Sequence, residues 1–297
     1  MSEKELNAYR LTSMEEPTDE MLSAIMKEAA EEATASTKKA LADYFKEISI
    51  MMQRKMFVKK LFLLTAVLLL SCFGTKAQES KTYLSADELP NAVYWLPAPP
   101  APGSSQFMYD ISQYNWGKEQ RLDTACARKA IREAQYEVAD MARQFSAAFG
   151  MEISEQATPA IYHVLNRGVH TIRLSATKPK ATYMRTRPYA YFNEATLVPE
   201  EEAELRSNGS YPSGHTVRGW GMALLLCEIN PDAQDELLKL GYEWGQSRVI
   251  AGYHWQSDVD ASRMLAAACY ARLHTSKEFL KDMAAAKKEY MTLKSGR

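Results

Sequence analysis

Cysteine is scarce in this sequence: Cys72, Cys126, Cys227 and Cys269 are the only four among 297 residues. No two of them form a Cys-x-x-Cys pair, so the spacing that holds a structural zinc ion is missing. An excess of charge is missing too. Lysine plus arginine number 36 against 37 aspartate plus glutamate, a net charge of −1, which excludes the broadly basic surface that binds nucleic acid. Any cationic site must therefore be local. Long apolar runs are absent: the one run, from Leu61 to about Gly74, falls short of the ~20 residues that cross a bilayer. With no second run, a polytopic membrane protein with an embedded site is excluded. Strand-period alternation and internal repeats are not found, which leaves helix-period patterns to account for the chain.

What is present suits a globular protein. The chain is 46% hydrophobic and 25% charged, enough for one sizeable core. Its first part is of another kind. Residues 1–50 carry 11 acidic and 6 basic side chains, with Leu22, Ile25, Met26, Ala29 and Ala33 at helical spacing. Residues 1–55 read as an acidic helical extension. Residues 56–77 then have the layout of a secretory signal: Lys59 and Lys60, the apolar run, and small residues before a cleavage point near Ala77-Gln78. A signal anchor is the alternative, as is a lipoprotein lipidated at Cys72 after Leu69-Leu70-Ser71. Each of these places the rest of the chain outside the cytoplasm, periplasmic or secreted.

Residues 78–117 are rich in proline, serine, tyrosine and asparagine, with PAPPAPG at 97–103, and read as an irregular lead-in. From Lys118 the helical pattern is continuous to Phe149, where Gly150 is a C-cap. A second helix runs from Thr158-Pro159 to about Leu174, ending before Lys178-Pro179. Residues 180–212 read as irregular. Further helices follow from about His215 to Ile229, from Asn230-Pro231 to about Ala251, from Ser257 to Leu273, and over 276–293. Residues 118–297 thus form one all-α domain. The remaining cysteines fit buried thiols, with at most one disulfide among them.

Three segments carry chemistry. KATYMRTRP at 180–188 holds Lys180 and Arg187, with Arg185 between them; arginine forks match phosphate oxygens and lysine adds a point charge. GSYPSGHT at 209–216 places Ser213, Gly214 and His215 at the mouth of an apolar helix. A helix start offers unpaired N–H groups and a positive dipole end to an anion, and histidine beside an anion suggests proton chemistry. SRVIAGYHWQSD at 247–258 sets Arg248, His254 and Asp258 in a row. Singly, each has an ordinary explanation: solvated cations, a helix cap, a His–Asp surface pair. Together they hold the two of the chain's five histidines that sit beside glycine turns and cations, whereas His163, His170 and His274 have no such setting.

Lys-x6-Arg-Pro, Pro-Ser-Gly-His and Ser-Arg-x5-His-x3-Asp, in this order, resemble the three-part signature of the PAP2 (phosphatidic acid phosphatase type 2) superfamily. GSYPSGHT and the preceding RPYAYFNEATLVPEEEAELRSN are similar to its secreted branch, the class A bacterial nonspecific acid phosphatases. The resemblance spans roughly residues 80–290 and leaves 1–55 unexplained. It implies an all-α, acid phosphatase-like helical bundle (vanadium chloroperoxidase-like) and hydrolysis of soluble phosphate monoesters through a phosphohistidine. It further implies His254 as nucleophile, Asp258 as its orienting partner, and His215 as general acid. Lys180, Arg187, Ser213, Gly214 and Arg248 are implied as the phosphate cradle.

No metal and no cofactor is implied, because three cations can compensate the charge of the transition state. The partner is a small-molecule phosphate monoester, with transfer to alcohol acceptors possible in principle and a homodimer as the implied assembly. Two related chemistries share such a cage: vanadium-dependent haloperoxidation and lipid phosphate hydrolysis. A phosphate-binding module without chemistry would lack the nucleophile or the acid, and neither is missing here. Tyr211 and Trp255 flank site positions and read as core packing or pocket lining.

Overall fold

The computed structural model describes residues 81–296, together with Lys27 and Lys46. The remainder of the acidic extension and the signal-like segment at 56–77 lie outside the described residues. By its internal contacts the chain divides into Met1–Gln78 and Glu79–Arg297, and all that follows concerns the second unit.

Eleven helices make up the described part of this unit, joined by turns and short 3₁₀ segments, and no strand occurs among the described residues. They are α1 (Ser105–Gln120), α2 (Thr124–Arg132), α3 (Val138–Phe149), α4 (Pro159–Leu174), α5 (Thr177–Tyr183) and α6 (Pro188–Phe192). After these come α7 (Glu202–Leu205), α8 (Gly214–Ile229), α9 (Gln234–Ala251), α10 (Gln256–Leu273) and α11 (Lys277–Ser295). The all-α fold implied by the sequence is the one observed.

Helix α8 is the axis of the bundle. It is apolar nearly all round, and a helix of that kind must be buried. Val217, Met222, Leu225, Leu226 and Ile229 are buried where α8 packs along α9, α10 and α4. The closest approach is to α9: a Cβ at Gly219 would lie 2.5 Å from Trp244 Cδ1, so only glycine admits the indole there. Helix α11 covers α4, while α1 and α2 lie against α9. The core includes Phe145, Phe149, Ile161, Trp244, Leu265 and Phe279.

The chain between residues 78 and 149 differs from the sequence-based reading. Residues 78–117 are not a mere lead-in: Tyr83, Leu84, Leu89 and Leu96 are in the core, and α1 runs across the expected boundary at Lys118. Gly103, at φ 83°, ends the proline-rich stretch, and Ser104 caps α1 by accepting from Phe107 N at 3.1 Å. The expected single helix from Lys118 to Phe149 is three helices. Asp123 caps a new start by accepting from Ala125 N at 2.7 Å, and the chain opens again between Arg132 and Val138. Likewise 180–212 is not wholly irregular, since α5, α6 and α7 supply short helical turns; Pro179 fits the first turn of α5, where its missing N–H costs nothing.

Of the cysteines, Cys126, Cys227 and Cys269 are free thiols, and only Cys269 is fully buried. The reading of all three as buried is corrected for the other two, which are half-buried.

Candidate active site

The three segments singled out in the sequence converge at one end of the bundle. Helix α5 supplies Lys180, and Arg187 is the N-cap residue of α6. Gly214 and His215 begin α8, and Arg248 lies in the last turn of α9. Gly252, at φ 89°, ends α9 in the left-handed conformation that glycine adopts without strain. The chain then doubles back, so that Tyr253 N and His254 N both donate to the Arg248 carbonyl, at 3.0 and 3.3 Å. His254 thereby lies against α9 just before α10 begins.

His254 is almost wholly buried. Its Nδ1 stands 3.4 Å from Asp258 Oδ2, and its Nε2 lies 3.1 Å from Arg187 Nη1. A guanidinium only donates, so Nε2 is the acceptor and the ring proton sits on Nδ1, towards the carboxylate. Burial and the charge of Arg187 pull the imidazole down to about 3, against the opposing pull of Asp258. The ring is therefore neutral, with the Nε2 lone pair directed at the Arg187 guanidinium.

Asp258 has no exposed surface. Burial would raise its carboxyl, but His254, Arg185 and the Ser210 hydroxyl hold it well below the usual carboxylate range. Its Oδ2 accepts from Trp255 N at 2.9 Å, closing the first turn of α10, and also from the Ser210 hydroxyl. Its Oδ1 accepts from Arg185 Nη1 at 2.6 Å.

Arg185 does not join the phosphate cradle. Its other nitrogen, Nη2, donates to Asp110 Oδ2 at 2.6 Å, and Asp110 in turn accepts from Ser257 N at 2.8 Å and Ser257 Oγ at 2.6 Å. Asp110 and Ser210 were missed in the sequence. The signal for Asp110 is its place on the buried face of α1, in step with Phe107, Tyr114 and Gly117; a charged group on an apolar stripe needs a partner.

Lys180, Arg187 and Arg248 bring positive charge to one place. Lys180 Nζ donates to the Gly209 carbonyl at 2.5 Å, and burial and the nearby Arg187 pull its ammonium down to about 7. Arg187 is buried and anchored by Nε to the Leu205 and Asn208 carbonyls at 2.9 and 3.1 Å. Arg248 is buried too, donating from Nη2 to the Ala130 carbonyl at 2.5 Å, while its Nε and Nη1 have no hydrogen-bond partner. A buried guanidinium with open donors is costly unless an anion completes it.

Ser213 is the N-cap residue of α8. Its hydroxyl caps α8, accepting from Thr216 N at 3.3 Å. Its own N–H donates to the Asp258 carbonyl at 3.3 Å, so the N–H is taken, whereas the hydroxyl keeps its own proton to donate. Gly214 does line the cleft.

His215 Nε2 is 2.7 Å from the Ala134 carbonyl. A carbonyl only accepts, so Nε2 carries a proton and Nδ1 is the titrating nitrogen. Burial and Arg248 push the imidazole well below its ordinary value, and the Ala134 bond only partly offsets them. The end of α2 makes this contact possible. Had the helix continued, the Ala130 and Ala134 carbonyls would have accepted from backbone four residues on; the break leaves one for Arg248 and the other for His215.

Lys180, Arg187, Gly214, His215 and His254 line a cavity of about 160 Å³, and Arg248 and Asp258 are buried behind them. The cavity walls also carry Tyr136, Arg173, Arg218, Glu201 and Glu204. Among the described residues, no cluster of His, Cys, Asp or Glu could hold a metal ion, and no helix is long and apolar enough to cross a membrane.

Comparison with known proteins agrees with this geometry. Residues 160–281 match the PAP2 superfamily, a span that contains all three segments of the cleft. The chain is 44% identical to a non-specific acid phosphatase of Providencia stuartii over 71% of its own length and 86% of that protein. It is 40% identical to a non-specific acid phosphatase of Salmonella typhimurium, over 72% and 86% of the respective chains. It is 31% identical to an acid phosphatase of Zymomonas mobilis, over 74% and 81%. The chain belongs to the PAP2 superfamily, among its non-specific acid phosphatases.

Proposed function

We propose that this acid phosphatase hydrolyses soluble phosphate monoesters in two steps through a phosphohistidine at His254. The observation that carries the reading is the pair of contacts on that ring: Asp258 on Nδ1 and an arginine N–H on Nε2. The neutral tautomer this enforces puts the nucleophilic lone pair where a phosphoryl group would be held by Arg187.

In the first step Nε2 attacks phosphorus, the phosphorus–oxygen bond to the alcohol breaks, and His215 gives its Nδ1 proton to the departing oxygen. The proton on His254 Nδ1 stays there, and Asp258 stabilises the charge on the phosphorylated ring. In the second step a water attacks phosphorus, its proton passes to His215, and inorganic phosphate leaves with His254 restored. An alcohol in place of the water gives phosphotransfer. Lys180, Arg187 and Arg248 compensate the charge on the three non-reacting oxygens, the part that metal ions take in other phosphoryl-transfer sites.

Burial holds His215 neutral in the protein alone. A dianionic ester bound against it raises its pKa, so substrate brings the acid into its working state. The signal-like segment at 56–77 supports action outside the cytoplasm, on substrates presented in solution.

The test is hydrolysis of p-nitrophenyl phosphate at pH 5–7 by the full chain, with and without EDTA, against His254→Ala. Turnover that EDTA spares and the substitution abolishes supports the reading. Turnover that survives the substitution overturns it, and vanadate-dependent bromide oxidation in its place would assign the cage to peroxidation.

A further inference from the structure

The cleft holds more positive charge than one phosphoryl group requires. Beyond Lys180, Arg187 and Arg248, its outer wall carries Arg173, in the last turn of α4, and Arg218, one turn into α8 from His215. Neither has a carboxylate within ion-pair distance among the described residues. Arg218 lies flat over the Tyr136 ring, 4.4 Å from its centroid, and reaches the Tyr136 carbonyl at 3.5 Å; Glu137 acts on it only from a distance. Tyr136 itself meets the His215 ring edge-on at 5.0 Å. Burial and the charge of Arg173 together lower the Arg218 guanidinium to about 10. Two arginines thus line the same cleft as His215, close enough for the charge of one to act on the other.

The carboxylates of the cleft, Glu201 and Glu204, come from the segment that leads into and through α7. Glu201 feels Arg248 and Arg187, and Glu204 stands on the same turn of chain. A leaving group departs past His215, because that residue protonates it, so it passes the wall of Tyr136, Arg173 and Arg218.

We propose that Arg173 and Arg218 form a second anion subsite, which selects phosphate monoesters whose leaving group itself carries a phosphate or a carboxylate. Tyr136 holds the Arg218 guanidinium in place by cation–π contact. The subsite gives affinity at the alcohol side of the scissile bond and leaves the chemistry at phosphorus to His254 and His215. This assignment rests on the acid phosphatase reading and adds a substrate class to it.

The experiment compares matched substrates on the full chain. Glycerol 3-phosphate and 3-phosphoglycerate differ in a carboxylate; fructose 6-phosphate and fructose 1,6-bisphosphate differ in a phosphate. The readout is the ratio of kcat/KM within each pair, for the wild type, the Arg173→Gln/Arg218→Gln variant and the Arg173→Lys/Arg218→Lys variant.

The expected result is a wild-type ratio favouring the doubly anionic member. It falls about tenfold in the glutamine variant, chiefly through KM, as the loss of charge-assisted hydrogen bonds predicts. It recovers in the lysine variant. The pair with the larger response tells whether the subsite takes carboxylate or phosphate. Ratios that stay the same in the glutamine variant, or fall without recovery in the lysine variant, overturn the subsite. Absence of turnover on all four substrates by the wild type would instead overturn the phosphatase reading itself.

Discussion

Arg185 Nη1 donates to Asp258 Oδ1 at 2.6 Å, and its Nη2 donates to Asp110 Oδ2 at the same distance. One buried guanidinium therefore ties the carboxylate that orients His254 to a second carboxylate on α1. The first helix of the unit supports the site although it lies outside the span matched by the superfamily, residues 160–281.

Asp258→Asn tests the orienting role. Asparagine keeps the shape but no longer requires a proton on His254 Nδ1, and it leaves Arg185 facing a neutral amide oxygen in place of a carboxylate. We expect kcat to fall by about 10³–10⁴, as when a triad carboxylate is replaced by its amide, with little change in KM. Steady-state kinetics on p-nitrophenyl phosphate measures both; a fall below tenfold would mean that other contacts fix the tautomer.

Asp110→Asn tests the support behind it. Asp110 is wholly buried and outside the cleft lining, so its effect passes through Arg185 and Ser257. Breaking a buried, hydrogen-bonded ion pair typically costs about 3–5 kcal/mol, which urea unfolding would show as a lower midpoint. A midpoint within error of wild type would mean that the Arg185–Asp110 contact contributes nothing to stability.

Lys180 gives the cleft its pH response from the binding side. Its ammonium, held near about 7 by burial and Arg187, is charged below that pH and neutral above it. Affinity for inorganic phosphate should weaken as pH rises through 7, and Lys180→Arg, which stays charged, should flatten that rise in Ki. A wild-type Ki that tracks only the ionisation of phosphate itself, unchanged in the arginine variant, would contradict this.

His254 also shapes stability against pH. Its folded pKa of about 3 lies below the ordinary histidine value, so between ~6.5 and about 3 the unfolded chain binds the extra proton. Folding therefore loses stability as pH falls through that window and is unaffected above it. Relative to His254→Asn, wild-type stability should drop by about 1.4 kcal/mol per pH unit below ~6, as read from urea midpoints at pH 7 and 5. Parallel curves for the two proteins would refute it.

Gly219→Ala tests the packing that sets His215 against Arg248. A Cβ there would meet Trp244 Cδ1 at 2.5 Å, and the indole is locked in the core. Overpacking of this kind costs about 1–3 kcal/mol, and we expect activity to fall along with the unfolding midpoint.

The three segments of the site could be read in the sequence because their residues are bound to fixed local spacings. His254 and Asp258 are four apart at a helix start, and Gly214-His215 opens the most apolar helix. What could not be read depends on contacts far apart in the chain. In the sequence Arg185 has no role beyond lying between Lys180 and Arg187, and only folding shows it paired with Asp110, 75 residues earlier. In the sequence Ser213 offers both its hydroxyl and its N–H to an anion, but in the fold its N–H serves the Asp258 carbonyl. The helix breaks at Arg121–Asp123 and after Arg132 were hidden beneath continuous helical periodicity. One is set by the Asp123 cap, and the other frees carbonyls that Arg248 and His215 use. The α1 helix was masked by the proline-rich run in front of it, although Gly103-Ser104 is a recognisable stop and start.

The most direct measurement is the mass of the phosphorylated enzyme. In His215→Ala, p-nitrophenolate departs without an acid while the second step lacks its base, so the intermediate should accumulate. After rapid mixing with p-nitrophenyl phosphate and an alkaline quench, which preserves phosphohistidine, the peptide containing His254 should gain one phosphoryl group, and His254→Ala should gain none. A burst of p-nitrophenolate with no phosphoryl group on that peptide, or with the group on another residue, would contradict the account.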